Sequence, residues 1–152
     1  MLKRDAMDTA IQKAVELGAE HIVPLITERT SQNEPRSKKR QQHWQGVAVS
    51  ACEQCGRNLL PTIDEATPFN AYASSHSGFI CTLANRAASL PHTPAQNVSL
   101  LIGPEGGFTP QEVTLALEKG WQALGLGPRI LRAETAAIAA ISLVQARWGD
   151  LS

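Results

Sequence analysis

The sequence lacks a net charge, a long apolar run and a cysteine framework, and each absence removes a class of function. Lys plus Arg and Asp plus Glu are 14 each in 152 residues, so the formal charge is zero. No global field then draws the chain to nucleic acid or anionic lipid, and any nucleic-acid site has to be local. No apolar run reaches membrane-spanning length, and the amino end, "MLKRDAMD", carries no signal-peptide pattern, so a cytoplasmic protein is expected. Three cysteines make no disulfide framework. Cys52 and Cys55 form a CxxC, but no second CxxC or CxxH completes a zinc site, and no metal is expected. Trp44, Val47, Ala48, Ala51, Cys52 and Cys55 instead follow the i, i+3, i+4 spacing of a buried helical stripe, in which free cysteine behaves as a small hydrophobe. Cys81 lies in another apolar run and is read as core. There is no P-loop, because the glycine loop at 103–107 has no Lys-Ser or Lys-Thr. A dinucleotide fingerprint is absent too: Gly125 and Gly127 begin one, but Ile130 stands where its third glycine belongs.

What is present centres on "LLIGPEGGFTPQEV". Val98, Leu100, Leu101 and Ile102 form a short apolar run suited to a strand buried on both faces. Thr109, Pro110 and Glu112 fit an N-cap, a first-turn proline and the acid of a capping box, so a helix is predicted from Pro110. Gly103, Gly106 and Gly107 join the two. Such a loop is either an ordinary turn or a place where main chain meets a ligand at the carboxyl end of a strand.

Around this unit the chain alternates. Apolar spacing predicts a helix over 5–17 closed by Gly18, with Met7, Ala10, Ile11, Ala14 and Leu17 on one face. "HIVPLI" is a short strand with Pro24 marking an edge or bulge. A polar connection follows, then a helix over 36–55 closed by Gly56, an extended piece at Thr62 and Ile63, and a weak helix at 69–73. "GFICTLA" is a strand, "NRAASLPHTPAQN" a loop, 123–126 a strand and 134–148 a final helix. This order indicates one α/β domain with a largely parallel sheet flanked by helices.

Several charges are unexplained by local structure. Lys38, Lys39 and Arg40 at a helix amino end oppose its dipole, and they serve either as a solvated face or as a phosphate contact. Arg57 fits a phosphate contact or a helix C-cap. In "RILRAETA", Glu134 is favourable first-turn charge, whereas Arg132 beside the same helix start needs another partner.

"LLIGPEGGFTPQE", "LGLGPRILRAETA", "ACEQCGR" and "AIQKAVELG", in the family's relative arrangement, resemble the RsmE family of 16S ribosomal RNA uridine-N3 methyltransferases of the SPOUT superfamily. The resemblance implies a deep trefoil knot near the carboxyl end and S-adenosylmethionine as cofactor. It places Thr82, Leu83, Ile102, Gly103, Pro104, Glu105, Gly106, Gly107, Leu124, Gly125, Leu126, Gly127, Ile130, Leu131, Thr135 and Ala136 around that cofactor. It also implies 16S rRNA in the small ribosomal subunit as substrate and a homodimer, to which the apolar run of the last helix would contribute. Relatives generally carry a PUA-like β-barrel RNA-binding domain ahead of the first helix, and none is expected in this chain. For attack by uridine N3, Arg132 would stabilise the developing anion, and Glu105, or else Glu134, could take the proton if buried. Two other readings stand beside this one: a cofactor-binding and dimerisation fragment with little RNA activity of its own, and an unrelated α/β enzyme whose loops hold a phosphate.

Overall fold

The computed structural model describes residues 2, 4–30, 38–82, 90–92 and 97–151. Helix α1 (Arg4–Glu16) buries Met7, Ile11, Ala14 and Val15, and Gly18 turns the chain out of it at φ +88. Helix α2 (Lys38–Cys55) packs against it through Trp44, Ala48, Ala51 and Cys52, the stripe read from the sequence, while Cys55 is exposed. The two positions expected ahead of Lys38, 36 and 37, lie outside the described residues.

The "HIVPLI" strand is two strands, β1 (His21–Ile22) and β2 (Leu25–Ile26), interrupted at Pro24. Proline has no N–H for a ladder, so pairing stops there. β1 pairs in parallel with β3 (Thr62–Ile63), and β2 with β4 (Thr67–Pro68), the latter not expected from the sequence. Helix α3 (Phe69–Ser75) follows, longer by a turn's fraction than predicted.

The sheet that matters for function has β5 (Phe79–Cys81) in the centre, β6 (Leu100–Leu101) on one side and β7 (Gln122–Leu124) on the other, all parallel. β7 begins one residue earlier than expected and ends at Leu124, which leaves Gly125 and Leu126 to the loop. Helix α4 (Pro110–Glu118) connects β6 to β7, and α5 (Ala133–Trp148) closes the chain against α1. The alternation is that of an α/β fold with parallel pairing and helices on the flanks.

Two apolar clusters hold these layers. Leu2, Met7, Ile11, Val15, Trp44, Ala48, Ala51, Cys52, Ile63 and Ala133 join α1, α2 and the start of α5. Phe69, Ala73, Ile80, Leu101, Ala116 and Trp121 pack α3 and α4 on the central sheet. Ile80, Leu101 and Leu124 are almost completely enclosed, and burying each such side chain contributes about 1.5–3 kcal/mol.

Candidate functional site

Parallel register brings three strand ends together. Phe79 stands beside Leu100 and Gln122, Ile80 beside Leu101 and Ala123, and Cys81 beside Leu124. The next residues, Thr82, Ile102 and Gly125, therefore leave the sheet at one edge, and the Thr82 N–H donates to the Leu124 carbonyl at 3.2 Å. From β5 the chain goes to a neighbour on one side, and from β6 it crosses to the other side of β5. Loops diverge at such a switch point, and ligands of open α/β sheets sit there. Both glycine loops of the sequence thus share one edge with Thr82, while Leu83 lies outside the described residues.

The 103–107 loop is a tight fold. A Cβ on Gly103 would meet Gly107 Cα and Phe108 N at 3.2 Å each, so a side chain there would force the loop's own backbone to give way by a few tenths of an ångström. The Gly107 N–H donates to the Pro104 carbonyl at 2.7 Å, and Gly107 sits at φ +68, a left-handed conformation that other residues resist. Pro104 is buried, whereas Glu105 and Gly106 are exposed. The capping box is formed as expected: Glu112 N–H donates to Thr109 Oγ1 at 3.2 Å, and Thr109 N–H to Glu112 Oε2 at 2.8 Å. Glu112 does a second job, since its Oε1 accepts from the Glu28 N–H at 2.9 Å. Beside it Arg29 Nη1 donates to the Gly106 carbonyl at 2.6 Å. In the sequence, segment 27–30 stands out only as the start of a polar connection. The signal it carried was a pair of threonines three apart, the spacing of a hydroxyl-closed turn.

The second loop is more open. Gly127 has φ +93, and nothing lies within 4 Å of where its Cβ would be; the same is true of Gly107. Leu126 and Leu131 are half-buried and Ile130 is 84% exposed, so the expected apolar wall is available on the surface of this chain. Leu124 differs: its side chain is 1% exposed and belongs to the core, and its carbonyl already holds Thr82. Burial pushes the Cys81 thiol up to about 12, so at neutral pH it is neither a thiolate nor a nucleophile.

Arg132 is the N-cap of α5. Its carbonyl accepts from the Ala136 N–H at 2.8 Å, while its side chain is exposed and makes no hydrogen bond or ion pair among the described residues. The charge without a local partner in the sequence thus meets none among the described residues. Glu134 is half-buried in the first turn of α5, where its charge suits the dipole; Thr135 is exposed and Ala136 half-buried.

A family model described as RNA methyltransferase domain matches residues 1–145. The chain belongs to the RNA methyltransferase domain family. This RNA methyltransferase domain is 38% identical, over 99% of its length, to the ribosomal RNA small subunit methyltransferase E of Buchnera aphidicola, and spans 64% of that relative. It is 33% identical to the enzyme of the same name from Bacillus subtilis, spanning 61% of it. The crystal structure of a ribosomal RNA small subunit methyltransferase E from Neisseria gonorrhoeae bound to S-adenosyl methionine superposes over 100% of this chain and 65% of that one, with a TM-score of 0.92 and 40% identity. The RNA methyltransferase domain thus spans less than two thirds of the length of these relatives.

Two other basic residues of the RNA methyltransferase domain, Arg57 and Arg40, make contacts within the fold. Arg57 Nη1 donates to the carbonyls of Val15 at 2.7 Å and Ala19 at 2.8 Å, so of its two expected roles the capping one is filled, on α1 and not on the helix it follows. The Arg40 guanidinium lies 5.3 Å from the centroid of the Trp44 ring, a cation–π contact on its own helix. Lys38 and Lys39 are exposed at the start of α2.

Proposed function

We propose that this chain is the catalytic domain of an S-adenosylmethionine-dependent methyltransferase acting on uridine N3 of 16S rRNA in the small ribosomal subunit. The observation that carries the proposal is the convergence of Thr82 and both glycine loops at one sheet edge, in a member of the RNA methyltransferase domain family. The name of the relatives and the ligand of the Neisseria enzyme support the substrate and the cofactor. The trefoil knot implied by the resemblance belongs to the same proposal.

The residues fit such a cofactor. Space beside Gly107 and Gly127 lets a ligand approach main chain, and exposed Ile130 with half-buried Ile102, Leu126 and Leu131 offers apolar surface to a purine. Gly103 to Gly107, Gly125 and Gly127 would hold it chiefly through main chain, with Thr82 on the third side. S-adenosylmethionine, when bound, supplies an electrophilic methyl group. Uridine N3 has to lose its proton before its lone pair can bond to that methyl. Arg132, exposed and without a partner among the described residues, stabilises the resulting uridine anion. Glu105 takes the proton in preference to Glu134, whose place is at the α5 dipole; because Glu105 is exposed, bound RNA must supply the desolvation a carboxylate base needs. Lys38, Lys39, Arg40 and Arg57 are the candidates for phosphate contacts.

Calorimetric titration tests the cofactor. One S-adenosylmethionine per protomer is expected, with no uptake of ATP; binding of ATP alone would turn the reading to a phosphate-binding enzyme. Because the chain spans 64% of its Buchnera relative, a cofactor-binding module with little RNA activity is the second reading. A methylation assay on small ribosomal subunits, run with and without an added amino-terminal RNA-binding domain, separates the two.

The same proposal includes a homodimer. One side of α5 is covered by its own chain through Ala133, Ala137 and Ala140, yet Leu143 is 46% exposed on the same helix and Ile130 lies open beside its start. A second copy would cover both. Light scattering at micromolar concentration is expected to give twice the chain mass, and a monomer there would remove the dimer from the proposal.

A further inference from the structure

We propose that Arg29 is a positioning residue for the cofactor site, locking the orientation of the Gly106–Gly107 peptide group. The inference rests on the S-adenosylmethionine reading above and adds to it a residue outside both glycine loops. The two ends of that single peptide group are held from opposite directions. Its carbonyl oxygen accepts from Arg29 Nη1 at 2.6 Å, and its N–H donates to the Pro104 carbonyl at 2.7 Å. A peptide between two glycines has no side chain on either flank to resist a flip, so its orientation depends on these bonds. Gly107 at φ +68 depends on them as well.

The stem of Arg29 is part of the same lock. A Cβ on Gly106 would lie 3.3 Å from Arg29 Cδ and 3.4 Å from Arg29 Cβ. Gly106 has no positive φ to require glycine, and the residue it makes room for is the arginine lying across it. Arg29 arrives preorganised. Thr27 and Thr30 are buried, the Thr27 N–H donates to Thr30 Oγ1 at 2.9 Å, their hydroxyls meet at 2.8 Å, and the Thr30 N–H returns to the Thr27 carbonyl at 3.1 Å. The Glu28 N–H on Glu112 anchors the turn beside it. Among the described residues this carbonyl is the one polar partner of the Arg29 guanidinium, which makes it a charge-assisted bond.

The test is S-adenosylmethionine titration of the whole chain and two variants. Arg29→Ala is expected to bind about tenfold more weakly, the size of effect for losing one charged hydrogen bond, with Arg29→Lys recovering part of the loss. The cofactor-free melting temperature should stay near the parental one, since Arg29 is exposed, while amide exchange at Gly107 should quicken. Gly106→Ala, whose Cβ would crowd the Arg29 stem by a few tenths of an ångström while keeping the guanidinium, should weaken binding too, and it decides the matter if Arg29→Ala does not fold. Parental affinity in Arg29→Ala, or in Gly106→Ala, overturns the role. A parental chain that takes up no S-adenosylmethionine overturns the functional reading and this role with it, which is a different and recognisable result.

Discussion

Arg132→Ala is expected to slow methyl transfer to RNA by about 100- to 1000-fold, the range for removing one donor that stabilises developing negative charge. Cofactor affinity should hold, because the proposed contacts are main chain and apolar. Stability should hold as well: the side chain is exposed and has no polar partner among the described residues, and such surface changes usually stay within about 0.5 kcal/mol. The helix start survives because the part of Arg132 that α5 uses is its carbonyl, bonded to the Ala136 N–H. The assay needs a form joined to an RNA-binding domain, so that weak RNA affinity does not mask the chemistry. A variant that methylates at the parental rate removes Arg132 from the mechanism, and one that unfolds assigns it to the fold.

Trp121→Ala should cost about 3–5 kcal/mol of stability, the usual loss for truncating a buried aromatic. Trp121 is 2% exposed, packs with Phe69, Ala73, Ile80, Leu101 and Ala116, and its Nε1 donates to the Ala73 carbonyl at 3.1 Å. It immediately precedes β7, so the cavity would open beneath the strand that delivers the second glycine loop. Trp121→Phe keeps most of the ring contact and loses the hydrogen bond, so it should cost less. Urea unfolding of the cofactor-free chain measures both. A loss below about 1 kcal/mol for the alanine variant would mean that the site edge does not stand on this cluster.

Much of this was legible wherever a local rule and the tertiary fold agreed. Thr109, Pro110 and Glu112 have few other uses in a row, and the helix begins where they say. The α2 stripe was readable because helical spacing and burial coincide at Trp44, Ala48, Ala51 and Cys52. Short strands were harder. Two-residue pairings such as β4 carry no alternation to detect, and Pro24 broke a run whose composition looked continuous. Long-range polar contacts left no periodic trace at all. Glu112 was readable as a cap but not as the acceptor of an N–H 84 residues away, and Arg29 on Gly106 spans 77. Arg57 was legible as a choice between two roles, and only the position of α1 beside it decides which one its Nη1 fills.

The end of α1 has a consequence for how this chain is made. Three carbonyls there, those of Val15, Leu17 and Ala19, are met by side chains from far along the sequence: Arg57 takes the first and third, and Gln145 Nε2 donates to Leu17 at 2.7 Å. A ribosome releases α1 before α5, and the Leu17 carbonyl at its end gains this partner only once residue 145 has been synthesised. Contacts of such long sequence separation slow folding, because the chain must be closed into a large loop before they form. Helix α1 is therefore expected to acquire native protection from amide exchange together with α5, and not before it.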